Sequence, residues 1–220
     1  MKIHLKNFSY HLPTFSKPLF EMSDLSIDSG QKILIQGPSG CGKSSFLHAI
    51  AGLIPACQGE VWYDEVQLLA LSSADRSQFR HANLGLIFQR LSLLPQWSAL
   101  ENLRVVQHDR VRARKGLKTL GLDIDMDLAV EHLSWGETQR VSIARALVKD
   151  FRVLLADEPT SSLDDDSTLV VMRELIRVTE RKTFICVSHD HRVEKYFDKI
   201  LKLSPKSSSG SPSTTAKESP

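Results

Sequence analysis

A glycine-rich segment between two apolar stretches constrains the fold of this chain more than any other feature. Residues 37–44 read Gly-Pro-Ser-Gly-Cys-Gly-Lys-Ser and satisfy the pattern G-x-x-x-x-G-K-[ST]. The apolar run before the segment predicts a strand over residues 32–36, and the apolar periodicity after it predicts a helix over residues 42–52. Because glycine lets the backbone wrap closely around phosphate oxygens, this pattern indicates an α/β protein that binds a nucleoside triphosphate.

The other residue types in this loop also suit phosphate chemistry. Main-chain amides and the N-terminus of the following helix favour negative charge. We expect Lys43 to reach the β- and γ-phosphates and the Ser44 hydroxyl to ligate Mg²⁺. We interpret Cys41 as a small loop residue rather than a redox switch. The candidate nucleotide-binding residues are Gly37, Pro38, Ser39, Gly40, Cys41, Gly42, Lys43, Ser44 and Ser45.

A second apolar run ends in two adjacent carboxylates, Asp157 and Glu158. Residues 153–156 predict a buried strand, and neighbouring strand residues point to opposite faces, so the two acids cannot share one role. Asp157 suits the Mg²⁺ shell, and Glu158 suits polarising a water for in-line attack on the γ-phosphate. Alone, the pair could be two solvated acids at a strand end. The phosphate loop upstream favours the catalytic interpretation.

Composition and charge exclude several classes of protein. Hydrophobic residues make up 41% of the 220 residues, yet no run approaches the 18 or so apolar residues of a membrane span. The N-terminus has no apolar segment typical of a signal peptide. Three cysteines without CxxC spacing predict neither a disulfide framework nor a zinc site, so we expect a reducing, cytoplasmic environment.

Short β-rich runs alternate with helical stretches along the chain, a pattern typical of α/β proteins. Residues 204–220 are rich in Ser, Pro and Thr, and we expect a disordered tail there. Strands are predicted at residues 3–10, 19–27, 32–36, 61–63, 84–88, 153–156, 183–187 and 199–203, and helices at residues 42–52, 99–122, 137–149 and 168–179.

Residues 133–140, Leu-Ser-Trp-Gly-Glu-Thr-Gln-Arg, resemble the signature motif of ATP-binding cassette (ABC) ATPases, usually written LSGGQ. The rest of that family's motifs occur around this segment in the expected order, so the resemblance covers about residues 1–203. The matching residues are Tyr10 (the aromatic that stacks on adenine), Gln89 (Q-loop), Asp157 and Glu158 (Walker B aspartate and catalytic glutamate), Asp164 (D-loop) and His189 (switch histidine).

This resemblance implies a fold and a domain organisation. It implies a P-loop NTPase core with a parallel sheet, an N-terminal antiparallel β-subdomain and an α-helical subdomain. We therefore expect one ATPase domain over residues 1–203, with its helical subdomain at about residues 90–136. Gln89 and Ser134 are only 134 − 89 = 45 positions apart, which implies a shortened helical subdomain. No long coiled coil separates the two Walker motifs, which excludes the chromosome-maintenance and double-strand-break branch of the superfamily.

The resemblance also implies a composite site made by two copies of the chain. Two cassettes would pack head to tail around two ATP molecules, each held between the phosphate loop of one copy and the signature helix of the other. Ser134 and the backbone at Gly136 would then contact the γ-phosphate in trans, and Asp164 would act across the dimer. One cassette per chain suggests a two-fold homodimer.

Within one copy, the resemblance assigns roles to the remaining motif residues. Glu158 would be the catalytic glutamate, and His189 would contact the γ-phosphate. Gln89 would sense Mg²⁺ and the attacking water, which makes Ser44, Gln89 and Asp157 the candidate metal-site residues. ATP and Mg²⁺ are thus the implied ligands, and hydrolysis by water without a phosphoenzyme is the implied reaction.

Three features depart from the family pattern or leave it open. Trp135 replaces the first signature glycine, and its indole could crowd the closed dimer or pack outward; we hypothesise slower or weaker closure. Glu137 replaces the signature glutamine, which is a milder change. Tyr10 could simply pack at a strand edge, in which case Phe15 could serve as the adenine-stacking residue instead.

Residues 88–95 and 99–103 resemble the lipoprotein-releasing, macrolide-exporting and cell-division group of bacterial cassettes. Since no membrane span is predicted, this resemblance implies an ATPase subunit peripheral to the cytoplasmic face of the inner membrane, with a permease on a separate chain. We expect residues 89–103 to form the docking surface. The side chains proposed as exposed anchors, which could alternatively be core residues of the small subdomain, are Leu93, Leu94 and Trp97.

Two other functions remain open at this point. The chain could drive a membrane partner that moves no substrate but regulates a periplasmic enzyme. It could also be a cassette acting on ribosomes or DNA, although a single cassette and a net charge of +2 give no broad nucleic-acid footprint, and we expect no nucleic-acid partner. A local basic cluster is interpreted as a solvated helix face and comprises Arg110, Arg112, Arg114, Lys115 and Lys118.

Overall fold

The computed structural model describes residues 1–11, 18–54, 57–89 and 91–203, together with the backbone of residues 214–216. Within these residues the strands are β1 (Ile3–Tyr10), β2 (Phe20–Ile27), β3 (Lys32–Gln36), β4 (Cys57–Tyr63), β5 (Val66–Gln67), β6 (Leu84–Ile87), β7 (Val153–Asp157), β8 (Thr183–Val187), β9 (Lys199–Lys202) and β10 (Thr214–Ala216). The α-helices are α1 (Lys43–Ile50), α2 (Ser73–Asn83), α3 (Ala99–Arg104), α4 (Arg110–Thr119), α5 (Trp135–Leu147) and α6 (Asp165–Val178). In this described part, no helix is long and apolar enough to span a bilayer.

The central sheet has the strand order β10-β9-β3-β8-β7-β6. From β9 to β6 all neighbouring strands are parallel, and β10 adds an antiparallel edge next to β9. Parallel neighbours need a crossover connection, and α6 supplies the one between β7 and β8. The predicted α/β fold with a parallel core sheet is confirmed.

Both faces of this sheet are buried. Ile33 and Ile35 of β3 belong to one hydrophobic core, whereas Leu34 between them belongs to the other. The first core is shared with the antiparallel sheet and α1, and the second lies on the side of helices α3 to α6. Strands covered on both faces read as continuous apolar runs, which is why β3, β7 and β8 were predictable from sequence.

A second sheet has the antiparallel order β2-β1-β4-β5, which confirms the expected N-terminal β-subdomain. Three aromatic rings join this sheet to α1. Phe46 of α1 lies 6.2 Å from Phe8 and 5.4 Å from Phe20, measured between ring centroids in edge-to-face geometry. Such aromatic pairs stabilise a contact beyond the area they bury. The β-subdomain therefore supports the helix that follows the phosphate loop.

The helical subdomain contains two short helices where the sequence predicted one. The prediction of continuous helix over residues 99–122 is wrong, because α3 ends at Arg104 and α4 begins at Arg110. Asp109 starts the second helix: its carboxylate accepts hydrogen bonds from the amides of Val111 (2.8 Å) and Arg112 (3.3 Å). The shortened helical subdomain at about residues 90–136 stays a prediction.

Two further elements lie outside the predicted set. Helix α2 was not predicted, because none of its residues is buried and its sequence therefore shows no apolar stripe. The helix begins with a cap in which the Asp75 amide donates to the Ser72 side chain. Strand β10 lies within the segment expected to be a disordered tail. The rest of residues 204–220 falls outside the described residues, so the tail and the domain boundary at residue 203 stay predictions.

Candidate functional site

Four groups of the sequence-predicted site residues follow four adjacent strands of the parallel sheet. The register pairs Ile35 of β3 with Val187 of β8, Val187 with Asp157 of β7, and Ala156 with Ile87 of β6. The phosphate loop, the switch segment, the two carboxylates and the Q-loop therefore leave the sheet at the same edge. Ligand sites of open α/β sheets lie at the carboxyl ends of their strands.

Close packing explains two of the three glycines of the phosphate loop, Gly37 and Gly42. A Cβ on Gly37 would lie 2.2 Å from the carbonyl oxygen of Leu203, so this position excludes any side chain. Gly42 has φ +93° and begins α1 without a side-chain cap, and a Cβ there would lie 2.7 Å from Leu19 Cγ. The first amides of α1 are thus free of side-chain caps, as an anion-binding helix N-terminus requires.

The side chain of Lys43, the first residue of α1, turns back into the phosphate loop. The side chain is buried, and its ammonium donates to the carbonyl oxygens of Gly37 and Pro38, both at 2.9 Å. Within the loop, Cys41 is buried as a free thiol, whereas Ser39 and Gly40 are exposed. An ammonium enclosed by a loop whose outer side is exposed is placed to meet incoming phosphate oxygens.

Ser44 and Asp157 bring two side-chain oxygen atoms together beside the start of α1. The Ser44 hydroxyl donates to Oδ1 of Asp157 at 3.1 Å. Burial raises the pKa of Asp157, and the Ser44 hydrogen bond and the charges of His48 and Lys43 offset part of that shift. Hydroxyl and carboxylate oxygens are the ligands that Mg²⁺ prefers, so these two residues fit a magnesium ion beside the phosphate loop.

Glu158 is held in an unusual backbone conformation. Its φ is +50°, in the left-handed region that non-glycine residues rarely adopt, and its amide donates to the Val187 carbonyl at 2.9 Å. Residues fixed in such conformations cluster at functional sites. The strain here turns the side chain at the end of β7 toward the switch segment that follows β8.

The Glu158 carboxylate has one oxygen engaged and one free. Oε2 accepts from the Ser188 hydroxyl (3.3 Å) and the His189 amide (3.4 Å). Oε1 is buried without a hydrogen-bond partner among the described residues and lies 3.6 Å from Nε2 of His189. Burial raises the pKa of Glu158. A fixed carboxylate with one unengaged oxygen beside a histidine can accept a hydrogen bond, and then a proton, from a water.

Two of the predicted residues are placed less tightly. Gln89 follows β6 and is exposed, so it lies at the correct edge of the sheet, but its side chain is not fixed by the contacts described here. Tyr10 ends β1 and packs on Phe20 with 6.0 Å between ring centroids. Adenine stacking by Tyr10 stays a prediction, and the alternative residue Phe15 lies outside the described residues.

The signature segment begins α5 with a reciprocal cap. Oγ of Ser134 accepts from the Glu137 amide (3.3 Å), while the Ser134 amide (2.8 Å) and hydroxyl (2.6 Å) donate to Oε2 of Glu137. The hydrogen bond from the Ser134 hydroxyl, followed by that from its amide, lowers the pKa of Glu137. Gly136 lies in the same turn, where a Cβ would lie 3.5 Å from Leu163. A carboxylate thus occupies the helix end where the resemblance implies a phosphate.

The D-loop residue Asp164 caps the next helix. Its side chain accepts from the amide (2.7 Å) and the hydroxyl (3.2 Å) of Ser167 at the start of α6. The hydrogen bond from the Ser167 amide is the main cause that lowers the pKa of Asp164. Asp164 is exposed, so its side chain is accessible to a second copy of the chain.

We expect Glu137→Gln to strengthen ATP-dependent association of two copies by about fivefold. Where a γ-phosphate reaches the α5 N-terminus, a unit charge about 4 Å away costs about 1 kcal/mol in water-like surroundings, and glutamine removes that charge while keeping the cap. Sedimentation velocity with Mg-ATP, in a Glu158→Gln background, would measure the dimer affinity.

Glu101→Gln is the matched control, because Ser98 and Glu101 form the same reciprocal cap at the start of α3. Both substitutions weaken a capped helix, so only an effect specific to Glu137 reports on the phosphate. An equal change in dimer affinity for the two variants would contradict the prediction.

Trp135 is the first residue of α5 and is largely exposed. Its side chain is 61% exposed and lines an open groove of about 420 Å³ with Leu93, Leu133 and Thr138 among its walls. The exposed indole is accessible to a second copy of the chain, and slower closure of the dimer stays a prediction.

We expect Trp135→Gly to raise both the rate of ATP-dependent dimerisation and ATPase activity severalfold. Stopped-flow light scattering and a phosphate-release assay would measure them. Trp135→Ala controls for the poor helix propensity of glycine at this position and should have the same effect. Unchanged values in both variants would overturn the idea that the indole hinders closure.

Sequence reasoning overlooked two residues that contact Glu158, the predicted catalytic glutamate. Ser188 hydrogen-bonds its carboxylate, and Gln139 contacts its carbonyl group. Ser188 and Gln139 lie next to motif residues in the sequence. Their contacts with Glu158 join segments that are distant in sequence, so one sequence gives no signal of them.

Comparison with known proteins places these motifs in context. The ABC transporter family matches residues 20–161. The chain is 36% identical over 190 residues to the lipoprotein-releasing system ATP-binding protein LolD of Syntrophotalea carbinolica, covering 82% of this chain and 84% of that protein. It is 39% identical over 189 residues to the uncharacterized ABC transporter ATP-binding protein MJ1508 of Methanocaldococcus jannaschii, with the same two coverages of 82% and 84%.

Solved structures show the same likeness in three dimensions. The dimeric structure of MJ0796, a bacterial ABC transporter cassette, superposes with a TM-score of 0.87 at 31% identity, covering 92% of this chain and 94% of that chain. A post-hydrolysis state of MJ0796 bound to ADP and Pi superposes with a TM-score of 0.85 at 30% identity, covering 93% and 97%.

Proposed function

This chain belongs to the ABC transporter family, and on that premise we propose that it hydrolyses ATP to power a separate transmembrane permease. The family match and the identities to LolD and MJ1508 make it an ATP-binding subunit with ATPase activity. The chain would bind Mg²⁺ with ATP, act as a homodimer and bind a separate permease at the cytoplasmic face of the inner membrane.

One observation carries the catalytic part of the proposal. At one edge of the sheet, a buried carboxylate with a free oxygen lies 3.6 Å from a histidine, and the neighbouring Asp157 contacts the first turn of the phosphate-loop helix. A γ-phosphate seated on the loop after β3 would thus meet a general base, Glu158, that follows β7, with β8 between the two strands. This is the arrangement that in-line attack by a water requires.

Each residue of this edge has a defined task in that reaction. Glu158 orients the water and takes its proton, and His189 contacts the γ-phosphate. Lys43 exchanges its carbonyl partners for phosphate oxygens, which form stronger, charge-assisted hydrogen bonds. Ser44 and Asp157, with Gln89 from the Q-loop, would hold Mg²⁺. When bound, Mg²⁺ neutralises charge on the β- and γ-phosphates.

The homodimer completes the site. The phosphate loop and the signature helix begin two different helices, α1 and α5, and both Ser134 and Ser39 are exposed. The solved cassette that this chain resembles at a TM-score of 0.87 is dimeric. We propose that Ser134 and Gly136 of one copy contact the γ-phosphate bound by the other, with Trp135, Glu137 and Asp164 at the same interface.

A permease docking surface is proposed on the segment between the Q-loop and α3. Leu94 and Trp97 are exposed, whereas Leu93 is partly buried against the core of the helical side. The core interpretation therefore applies to Leu93, and the docking interpretation applies to Leu94 and Trp97, which are the candidate anchors. Asn102 holds this segment together. Its side-chain oxygen accepts from the Leu94 amide at 2.8 Å, and its side-chain nitrogen, whose two hydrogens face the carbonyl oxygens of Leu94, Trp97 and Ser98, lies 3.1–3.3 Å from these oxygens.

We expect the Glu158→Gln variant, loaded with Mg-ATP, to retain a transmembrane permease from detergent-solubilised membranes of the source cell. The likeness to LolD supports a permease of the lipoprotein-releasing group as that partner. Adding Leu94→Asp and Trp97→Asp should abolish retention without lowering the ATPase activity measured in a Glu158 background, because both side chains lie on the surface. Mass spectrometry of the retained proteins provides the readout.

Val111→Asp is the control, since Val111 is also exposed and apolar but lies on α4, outside the docking segment. Loss of the permease in this control as well, or retention by the Leu94 and Trp97 variant, would contradict the docking surface. Recovery of ribosomes or nucleic acid without any membrane protein would contradict the permease itself.

Charge pairing supports the expectation that nucleic acid is not a partner. Three arginines of α4 lie near carboxylates: Arg110 and Arg114 approach Asp127 at 3.6 and 3.7 Å, and Arg112 contacts Asp150 at 2.9 Å. A basic surface that binds phosphate backbones needs unneutralised cations along one face. The α4 cluster is therefore better described as a solvated, partly neutralised helix face.

A further inference from the structure

Gln139 of the signature helix is a polar residue buried beside the catalytic carboxylate. Its side chain is 5% exposed. Its amide nitrogen lies 3.3 Å from the carbonyl oxygen of Glu158 and 2.8 Å from that of Pro159. Since carbonyl oxygens only accept hydrogen bonds, the nitrogen of the amide must face them, which fixes the orientation of the side chain.

The other end of the amide argues that these contacts serve more than stability. Oε1 of Gln139 is buried without a hydrogen-bond partner among the described residues. A buried acceptor left unsatisfied costs stability that an apolar side chain of the same shape would not. A glutamine here is therefore best explained by what its nitrogen holds in place.

The side-chain nitrogen of Gln139 holds the strained Glu158–Pro159 backbone, which carries the proposed catalytic base. Glu158 has φ +50°, and its amide is fixed by Val187 on the sheet side. On the opposite side its carbonyl accepts from Gln139 and from the hydroxyl of Ser161 at 3.2 Å. Gln139 thus ties the Glu158–Pro159 backbone to α5, whereas Ser161 belongs to the same loop and cannot fix its position against another element.

The next residue of α5 makes a parallel connection. Arg140 donates to the Ser167 hydroxyl at 2.9 Å, and Ser167 is the residue capped by Asp164 of the D-loop. Consecutive residues of one helix therefore contact the loop after β7 and the start of α6. A shift of α5 along its axis would move both.

We propose that Gln139 is a positioning residue through which the signature helix sets the placement of Glu158 in the same copy of the chain. This inference rests on the proposed function: when Ser134 engages ATP bound to the partner copy, α5 adjusts, and Gln139 transmits that adjustment to the base serving the first copy's own ATP. The two composite sites of a homodimer become coupled by this contact.

Gln139→Met tests the proposal, because methionine keeps the length and flexibility of the side chain but cannot donate. We expect kcat for ATP hydrolysis to fall about tenfold, since catalysis is sensitive to displacements of about 1 Å, while KM for ATP stays within about twofold. In the Glu158→Gln background the added Gln139→Met should leave Mg-ATP-dependent dimerisation unchanged. A merely structural role would lower folding, ATP binding and dimerisation together.

Thr183→Val is the matched control. Thr183 is also buried and donates to a backbone carbonyl, that of Met1 at 2.7 Å, at the opposite end of β8 from the site. A fall in kcat no larger than that of Thr183→Val, at equal loss of thermal stability, would overturn the proposal, as would equal losses of kcat and of dimerisation. If instead the Glu158→Gln variant hydrolysed ATP at the rate of the unmodified protein, the catalytic part of the proposed function would fail independently of Gln139.

Discussion

Glu158→Gln is expected to reduce kcat for ATP hydrolysis by about 10²- to 10⁴-fold, the range that a positioned general base contributes. Glutamine keeps the shape of the side chain and can still meet Ser188 and the His189 amide, but it cannot take a proton from water. ATP binding should persist, so the variant should accumulate as an ATP-bound dimer. Single-turnover hydrolysis and gel filtration with Mg-ATP measure the two effects.

Glu174→Gln offers the same chemical change at another buried carboxylate. Glu174 is nearly buried on α6 and pairs with Arg177 through two hydrogen bonds of 2.8 and 2.7 Å. Its substitution breaks an ion pair far from the phosphate loop and should leave kcat within about twofold of the unmodified protein. Comparable losses in both variants would show that the Glu158 effect arises from disturbed folding and not from loss of the base.

The parts of this site that could be predicted from sequence are those fixed by the chain's local order. Residues 37–44 carry their glycines at the positions where close packing and φ demand them, as at Gly37 and Gly42. The carboxylates end an apolar run, and parallel pairing then brings that run beside the phosphate loop. A buried parallel strand is conspicuous in sequence, so the residue that follows it can be located reliably.

The parts that could not be predicted depend on long-range contacts or on single capping residues. Apolar periodicity predicts one helix over residues 99–122, but Asp109 caps a new helix within that region. Helix α2 has no buried residue, so no apolar pattern marks it in the sequence. The contact of Gln139 with the Glu158 loop spans 19 residues of sequence and exists only because α5 packs beside the end of β7. Whether Leu93 or Leu94 faces the core likewise depends on how Asn102 fixes the turn between them and α3.

Lys43→Met is expected to weaken ATP binding by more than about 100-fold. Charge-assisted hydrogen bonds contribute about 1.5–3 kcal/mol each, and this ammonium is placed to contact both the β- and the γ-phosphate. Methionine fills the same space but leaves the carbonyl oxygens of Gly37 and Pro38, now held at 2.9 Å, without their donor. Isothermal titration calorimetry with ATP and with ADP measures the loss, which should be larger for ATP because ADP has no γ-phosphate to lose.

Lys149→Met is the control for Lys43→Met, because it removes a partly buried lysine that lies away from the phosphate loop. Lys149 is also partly buried and donates to a backbone carbonyl, that of His81 at 3.0 Å, but it follows the C-terminus of α5, away from the phosphate loop. ATP affinity should be unchanged in this control, and both variants should melt within a few degrees of each other. An equal loss of ATP and ADP affinity in Lys43→Met would mean that the ammonium shapes the loop without contacting the γ-phosphate, and the assignment of Lys43 to both phosphates would then be wrong.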